Sequence, residues 1–276
     1  MTINCRGKLI DLSCPKVMGI LNTTPDSFYD GGKYKSDSAI LQQVEKMLKE
    51  GATFIDVGAY SSKPGAAFVS EEEEINRLLP IVDLIVNRFP EILLSVDTFR
   101  STVAEAAVLH GASIINDIAA GFLDHNMLPT VAKLQVPYIM MHMKGTPETM
   151  QSLAFYEDIF KEMMCYFSER IAIARSYGIN DVLIDPGFGF AKTLRHNYQL
   201  MQHLDYFLHL NLPILIGVSR KSMLYKLLEI TPEHALNGTT VLNTIGLQKG
   251  ASILRVHDVK EAVECITILE ELKKIT

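Results

Sequence analysis

Residues that could do chemistry recur in this chain directly after short apolar segments. They are amides, hydroxyls, carboxylates, imidazoles and cations: Asn22, Ser61, Ser62, Lys63, Asp97, Asn116, His142, Asp185, Lys221, Arg255 and His257. A single polar residue after a strand is commonly a local cap. Because nearly every apolar segment here is followed by one, the pattern favours a shared site over separate local roles.

A first group of these residues could bind a flat heterocycle. It consists of Asp97, Asn116, Asp185 and Lys221. Two carboxylates and an amide suit a ring with several N–H donors, such as a pterin or a guanine-like ring. Lys221 would donate to a ring carbonyl and offset the carboxylates, which are costly to bury without a partner. The residues leave one alternative open, a structural ion-pair cluster at the same place.

A second group is rich in positive charge. It consists of Asn22, Lys63, Arg255 and His257. These residues follow the first, second and eighth apolar segments, which would be neighbours in a closed barrel. Such a group suits phosphate or pyrophosphate. The amide oxygen of Asn22 could also bind Mg²⁺, which commonly holds diphosphates through one or two protein ligands. Taken alone, Arg255 and His257 could belong to an ordinary strand end.

Eight apolar segments of strand length precede these polar residues: 17–21, 53–57, 92–96, 113–115, 137–141, 182–184, 213–217 and 252–254. Helical patterns separate and follow them: 38–50, 70–89, 101–110, 126–134, 156–177, 194–208, a segment from Pro232 to 249, and 260–274. Such alternation is typical of an open doubly wound sheet or a closed barrel. Eight units in 276 residues favour a single-domain (β/α)₈ TIM barrel over residues 1–276, with an N-terminal hairpin or cap over 1–15. No GxGxxG motif follows the first strand, which weakens the dinucleotide-binding alternative.

The longest polar stretch follows the first predicted strand and covers residues 22–32. It is rich in short polar side chains and contains Pro25, Gly31 and Gly32, which is typical of a loop. We expect this loop to run to about residue 36, where helical periodicity begins. A strand-to-helix connection of this length is typical of a functional loop.

Composition narrows the class of protein. A formal net charge of −6 argues against nonspecific binding to nucleic acid. The four cysteines have no CxxC spacing, so we expect reduced thiols in a cytoplasmic protein rather than a disulfide framework or a zinc site. No apolar run approaches the length of a membrane span, and no signal-peptide pattern begins the sequence.

Four motifs, in this order, resemble those of the dihydropteroate synthase family. They are Asn22-Thr23-Thr24-Pro25-Asp26-Ser27-Phe28 with Asp30-Gly31-Gly32, Asp185-Pro186-Gly187-Phe188-Gly189-Phe190, Ser219-Arg220-Lys221-Ser222, and Arg255-Val256-His257-Asp258. The resemblance covers about residues 16–260. It implies a pterin-binding barrel that condenses 6-hydroxymethyl-7,8-dihydropterin diphosphate with 4-aminobenzoate. The products would be 7,8-dihydropteroate and pyrophosphate, in a step of folate synthesis that sulfonamides inhibit.

The resemblance also implies roles for individual residues and for partners. The residues implied to act in catalysis are Asp97, Lys221 and Asp30. Those implied to bind the pterin are Asp97, Asn116, Asp185 and Lys221. Those implied for the diphosphate are Asn22, Ser62, Lys63, Arg255 and His257, with Mg²⁺ on Asn22. Those implied for 4-aminobenzoate are Phe28, Pro64, Phe190, Lys221 and Ser222. A homodimer formed through outer helices is implied as well.

The second loop departs from the family pattern. Most members read closer to Gly-Glu-Ser-Thr-Arg-Pro-Gly, whereas this chain has Ala-Tyr-Ser-Ser-Lys-Pro-Gly over residues 59–65. Ser62 keeps a hydroxyl, and Lys63 keeps a charge but lacks the bidentate fork of arginine. Tyr60 stands where the family has an acidic residue. The altered loop makes sulfonamide sensitivity a question for this chain.

The residue types suit a dissociative displacement. Mg²⁺, Arg255 and His257 would offset the charge of the departing pyrophosphate, and Asp97 would stabilise the remaining pterin cation. The nucleophilic amine of 4-aminobenzoate would then need mainly positioning. Three alternatives remain: a pterin-binding methyltransferase domain that acts with a corrinoid protein, a catalytically silent binding protein, and a barrel aldolase with a Schiff-base lysine.

Overall fold

A computed structural model describes residues 1–22, 33–60 and 69–275, without the side chains of residues 22 and 33–36. Its strands are β1 Thr2–Cys5, β2 Lys8–Asp11, β3 Lys16–Asn22, β4 Phe54–Gly58, β5 Leu94–Asp97, β6 Ile114–Asp117, β7 Tyr138–Met141, β8 Val182–Asp185, β9 Leu215–Ile216 and β10 Ile253–Val256. β1 and β2 form the predicted N-terminal hairpin. The other eight strands are those predicted from the apolar segments.

The eight strands from β3 to β10 form one parallel sheet that closes into a barrel. Their order is β8-β7-β6-β5-β4-β3-β10-β9. A parallel bridge between Ile184 and Ile214 joins the two ends, where Ile184 N–H donates to the Pro213 carbonyl at 3.0 Å. The (β/α)₈ prediction is therefore confirmed.

The helices lie outside this barrel: α1 Lys33–Lys49, α2 Glu71–Arg88, α3 Ser101–Leu109, α4 Met127–Leu134, α5 Ile159–Ser176, α6 Leu194–Gln202, α7 Ser222–Tyr225, α8 Leu236–Gln248 and α9 Val259–Lys273. Their apolar faces and the outward faces of the strands form the larger part of the buried core. None of the helices in the described ranges combines the length and the apolar character needed to cross a membrane.

Three predicted helix boundaries are wrong. α1 begins at Lys33 rather than near residue 38, because the polar residues Lys33, Lys35 and Ser36 leave no apolar periodicity in its first turn. α5 begins at Ile159 because the Asp158 carboxylate caps it, accepting from the backbone N–H groups of Phe160 and Lys161. The predicted helix 194–208 ends at Gln202, and a 3₁₀ helix continues over Leu204–Leu210.

The lower interior of the barrel is an apolar layer. Each strand contributes one side chain, except that for β5 it is Leu93, directly before the strand. The eight residues are Met18, Phe54, Leu93, Ile114, Ile139, Leu183, Leu215 and Ile253. The hairpin closes this end with Ile3, Cys5, Ile10 and Leu12, which pack into the same cluster. We call this set the lower layer. Because strand side chains alternate between faces, residues two positions further along each strand point to the same interior, nearer the carboxyl ends.

Candidate active site

Arg255 lies at the centre of the polar interior at the carboxyl ends of the strands. From β10, its Nε donates to Asp56 Oδ2 of β4 at 2.7 Å, and its Nη2 donates to Asp97 Oδ2 of β5 at 2.8 Å. Asp56 is 1% exposed. The guanidinium group thus compensates two carboxylates that would otherwise be costly to bury. Its Nη1 has no hydrogen-bond acceptor among the described residues.

Asp56 also holds the predicted pterin residue Asn116. The Nδ2 group of Asn116, on β6, donates to Asp56 Oδ2 at 3.2 Å. The other oxygen, Asp56 Oδ1, has no hydrogen-bond partner in the described parts of the chain. Sequence reasoning missed Asp56 because it treated residues 53–57 as a uniformly apolar strand. The available signal was the two-residue spacing from Phe54, which places Asp56 on the inward face.

Lys221 and Asp185 complete the polar cluster on its other side. Lys221 Nζ donates to the Phe188 carbonyl at 2.5 Å and lies 4.9 Å from the centre of the Phe190 ring. Asp185 is buried, and its Oδ1 accepts from Gly187 N–H at 2.7 Å. A Cβ atom on Gly217 would lie 3.9 Å from Lys221 Nζ and 3.8 Å from Arg255 Cβ, so the two cations are neighbours. We call Asp56, Asp97, Asn116, Asp185, Lys221 and Arg255 the upper layer.

Burial shifts the pKa values of Asp97, Asp185 and Lys221 toward neutrality. Burial raises the pKa of Asp97 to about 7, although Arg255 opposes the shift. Burial lowers the pKa of Lys221 to about 8, and the carboxylate of Asp185 opposes that shift. Burial also raises the pKa of Asp185. For Arg255, burial acts to lower the pKa, but Asp56 and Asp97 raise it above its ordinary value. The arginine therefore remains charged while Asp97 and Lys221 can titrate.

His257 lies two residues after Arg255, directly beyond the end of β10, and is exposed. Ser219 Oγ lies 3.0 Å from its Nδ1 and accepts its backbone N–H at 3.2 Å. The neighbouring Arg220 pairs with both oxygens of Asp258, at 2.9 and 2.6 Å. This pairing fixes the loop after β9 to the end of β10. Polar groups from both segments thus lie together beside the cluster, where the diphosphate was predicted.

Comparison with known proteins identifies the family. The model of the pterin binding enzyme family matches residues 18–257. Dihydropteroate synthase of Escherichia coli (strain K12) is 46% identical over 272 residues, covering 98% of this chain and 96% of that protein. A crystal structure of Yersinia pestis dihydropteroate synthase with a sulfonamide drug has a TM-score of 0.93 at 44% identity, covering 99% of this chain and 100% of that one. This chain belongs to the dihydropteroate synthase family.

A second solved member of the dihydropteroate synthase family shares the same overall structure. It is the Xanthomonas albilineans enzyme with 4-aminobenzoic acid, with a TM-score of 0.91 and 38% identity. The match covers 99% of this chain and 98% of that one. Similarity therefore extends over the whole barrel, including every strand that contributes to the upper layer.

Several family positions lie outside the described residues. They are Phe28, Asp30, Ser62, Lys63 and Pro64, together with the side chain of Asn22. Asn22 is the last residue of β3, which pairs with β4 and β10. Within the described ranges, no group of three His, Cys, Asp or Glu side chains could hold a metal ion. An amide oxygen at the end of β3 and the oxygens of a diphosphate are donors of the kind that Mg²⁺ accepts, so Asn22 fits the predicted ion.

The remaining predicted residues of the 4-aminobenzoate pocket lie beside Lys221. Phe190 contacts its ammonium group and packs against an apolar cluster that includes Ile118 and Met141. Ser222 is the first residue of α7, directly after Lys221. His142, also prominent in the sequence, does not join the upper layer. It is buried with its Nδ1 atom 3.1 Å from Lys192 Nζ.

Tyr60, which departs from the family motif, fastens the start of the second loop. Its ring packs edge-on against Phe99, with 5.3 Å between the ring centres. The guanidinium carbon of Arg100 lies 5.5 Å from the Tyr60 ring centre. Its hydroxyl donates a long hydrogen bond of 3.4 Å to Glu148, in the loop after β7. Where the family has an acidic residue, Tyr60 thus contacts the loops after β5 and β7.

Proposed function

We propose that this chain catalyses the dihydropteroate synthase reaction. It condenses 6-hydroxymethyl-7,8-dihydropterin diphosphate with 4-aminobenzoate to form 7,8-dihydropteroate and pyrophosphate. The observation that carries the proposal is the convergence of six polar side chains from β4, β5, β6, β8, β10 and the loop after β9. That arrangement lies in a chain 46% identical to a dihydropteroate synthase along nearly its whole length.

In this proposal the upper layer binds the pterin. The carboxylates of Asp97 and Asp185 accept hydrogen bonds from N–H groups of the ring. The Asn116 amide both donates and accepts hydrogen bonds, and Lys221 donates to the ring carbonyl. Four groups of fixed position would thus recognise the polar edge of a flat ring. Arg255 holds Asp97 in place through its Nη2 atom.

The reaction breaks one bond and forms another at the pterin methylene carbon. The C–O bond breaks first, and its electron pair leaves with pyrophosphate. The Nη1 edge of Arg255 and the rim at His257 offset the leaving charge, and Asp97 stabilises the cation that remains. The amine nitrogen of 4-aminobenzoate then forms the C–N bond and releases a proton. Phe28, Pro64, Phe190, Lys221 and Ser222 would position the amine, and Asp30, Ser62 and Lys63 would complete the covering loops.

Mg²⁺ is part of the proposal. Asn22 would hold the ion together with oxygens of the diphosphate, and the ion would neutralise charge on the leaving group when bound.

We also propose a homodimer formed through α8 and α9. Val241 of α8 is 50% exposed, and Ile268 and Leu272 of α9 are 63% and 55% exposed. A second copy covering them would remove this apolar surface from water.

We further propose that the enzyme works in the cytoplasm. All four cysteines, Cys5, Cys14, Cys165 and Cys265, are free thiols in the structure. Unpaired cysteines are usual in a reducing compartment. The proposed substrates are intermediates of folate synthesis, which fits the same location.

The test is pyrophosphate release by the purified chain. We expect release only with both substrates and Mg²⁺, and 7,8-dihydropteroate should be detected by mass spectrometry. Chelation by EDTA should abolish turnover, and added Mg²⁺ should restore it. Absence of turnover would contradict the proposal, as would methyl transfer from methyltetrahydrofolate to a corrinoid protein.

The homodimer is tested by analytical ultracentrifugation, which should give twice the 30.8 kDa mass of one chain. A measured mass equal to that of one chain would exclude the dimer.

A further inference from the structure

Lys192 is a buried lysine that lies directly behind the pterin residues. Lys192 is 4% exposed, and among the described residues none of the hydrogen-bond partners of its Nζ atom is a carboxylate. The atom lies 2.9 Å from the Gly187 carbonyl, 2.9 Å from the Phe190 carbonyl and 3.4 Å from the His142 carbonyl. His142 Nδ1 is a further acceptor at 3.1 Å. Burying a cation is costly, so this arrangement calls for a specific role.

We propose that Lys192 is the positioning residue of the pterin pocket. Its ammonium group fastens residues 186–191, here called the Gly187 loop, to the end of β7, and so fixes Asp185 and Phe190 for binding. The inference rests on the proposed function, since it assigns these two residues to substrate. Lys192 itself does not touch the substrate in this account, and it acts through the loop.

The contacts of the Gly187 loop show how completely it is held. Gly187 N–H donates to Asp185, and Gly189 N–H donates to Asn197 Oδ1, both at 2.7 Å. The Phe188 carbonyl accepts from Lys221. The Gly187 and Phe190 carbonyls accept from Lys192. Loss of Lys192 would leave these two carbonyls without their cationic partner.

Backbone geometry indicates that the loop would not keep this shape unaided. Gly187 has φ +70°, and a Cβ atom there would lie only 2.2 Å from the His142 carbonyl oxygen. Ala191 has φ +49°, a left-handed conformation that is uncommon for a residue with a side chain. Lys192 follows Ala191 directly and bonds the same His142 carbonyl. It therefore joins the two loops where the backbone of Gly187 lies close to the His142 carbonyl.

The ring of His142 fits this role. An ammonium group only donates, so Nδ1 accepts and the ring proton resides on Nε2. Burial lowers the pKa of His142 well below its ordinary value, which keeps the imidazole neutral. Burial also lowers the pKa of Lys192 well below its ordinary value, whereas the carboxylate of Asp185 acts to raise it. A neutral histidine beside the lysine avoids adding a second buried positive charge.

The test compares Lys192→Met with a matched control, Lys144→Met. Lys144 also joins a loop to a helix, since its Nζ donates to the Phe155 carbonyl at 2.7 Å and Glu162 at 2.6 Å. Dissociation constants for 7,8-dihydropteroate would be measured by calorimetry, beside steady-state kinetics and thermal unfolding. For Lys192→Met we expect about tenfold weaker binding and a similar rise in KM for the pterin substrate, because misplaced binding groups lose uniform binding.

The same experiment separates positioning from chemistry. We expect kcat of Lys192→Met to stay within about threefold of wild type, because the reacting groups remain present. Lys144→Met should bind product as wild type does. Ethylammonium ion should restore binding to Lys192→Ala by occupying the vacated carbonyl pocket, and Lys192→Arg should bind more tightly than Lys192→Met because it keeps the charge.

Unchanged product affinity in folded Lys192→Met would overturn the inference, as would an equal loss in Lys144→Met. If Lys192→Met does not fold, Asn197→Ala carries the test, because it releases the same loop at Gly189. Weaker product binding in that variant supports the inference, and wild-type affinity overturns it. An inactive wild-type enzyme that does not bind product would instead contradict the proposed function.

Discussion

In the lower layer of the barrel, Phe54 of β4 packs against the N-terminal hairpin, whereas Asp56, two residues further along, bonds Arg255. The same step on β6 leads from Ile114 to Asn116, and on β8 from Leu183 to Asp185. The strands are continuous and their side chains alternate regularly. The same strand geometry therefore positions both the apolar side chains of the lower layer and the polar side chains of the upper layer. Only the residue type at each inward-facing position differs between the two layers.

The two layers contribute opposite terms to stability. Burial of each large apolar side chain in the lower layer stabilises the fold by about 1.5–3 kcal/mol. Each carboxylate in the upper layer loses hydration and is compensated only by Arg255, Lys221 or hydrogen bonds. The comparison teaches that stability and chemistry can be altered separately in this barrel. The following predictions test that separation.

The largest effect should come from Phe54→Ala in the lower layer. Phe54 is completely buried, and its truncation should lower the free energy of unfolding by about 3–5 kcal/mol. The kcat of the folded fraction should be nearly unchanged. Urea denaturation measures the first quantity, with Leu9→Ala as the control because Leu9 lies on β2 of the hairpin and is 71% exposed. A large loss of kcat at retained stability would contradict the separation of layers.

Asp97→Asn should show the reverse behaviour. The amide keeps the shape but removes the charge that stabilises the pterin cation, so kcat should fall by roughly a hundredfold or more. The unfolding temperature should change little, because the carboxylate is costly to bury. Asp83→Asn provides a control, since Asp83 is an exposed carboxylate bonded to His110. Wild-type turnover in Asp97→Asn would remove this residue from the mechanism.

The pH dependence of kcat/KM should form a narrow bell. Burial raises the pKa of Asp97 to about 7, so the required carboxylate is lost as the pH falls through that value. Burial lowers the pKa of Lys221 to about 8, so its ammonium form is lost as the pH rises beyond it. Activity should therefore peak between the two. The residual activity of Asp97→Asn should lack the acidic limb; a profile flat from pH 5 to 10 would be incompatible with both assignments.

The smallest effect should come from Ser95→Ala, at the boundary between the layers. Ser95 Oγ is buried and has no hydrogen-bond partner among the described residues, so its removal should change the free energy of unfolding by less than about 0.5 kcal/mol. Thr98→Val is the control, because the Thr98 hydroxyl donates to Glu74 at 2.8 Å. That variant should lose about 1 kcal/mol. A comparable loss in Ser95→Ala would place a bridging group at this boundary.

Most of the fold and part of the site could be predicted from sequence. Apolar segments located all eight strands, because strands buried on both faces read as continuous apolar runs. The topology rule then placed Asp97, Asn116, Asp185, Lys221 and Arg255 together. Pattern reasoning did not find Asp56, which interrupts an apolar run, because compensation by Arg255 exists only in the closed barrel. The break at His203 depends on local backbone geometry that periodicity does not report.

The Arg255 pairs join parts of the chain that are synthesised far apart in time. Arg255 lies 199 residues after Asp56 and 158 residues after Asp97. A nascent chain that has emerged only through β8 would contain both acids without the cation that neutralises them. Burying them at that stage would be strongly unfavourable. The pocket should therefore remain hydrated and open on the ribosome until the last strand is released, and fragments ending before β10 should acquire function only when the missing piece is supplied in trans.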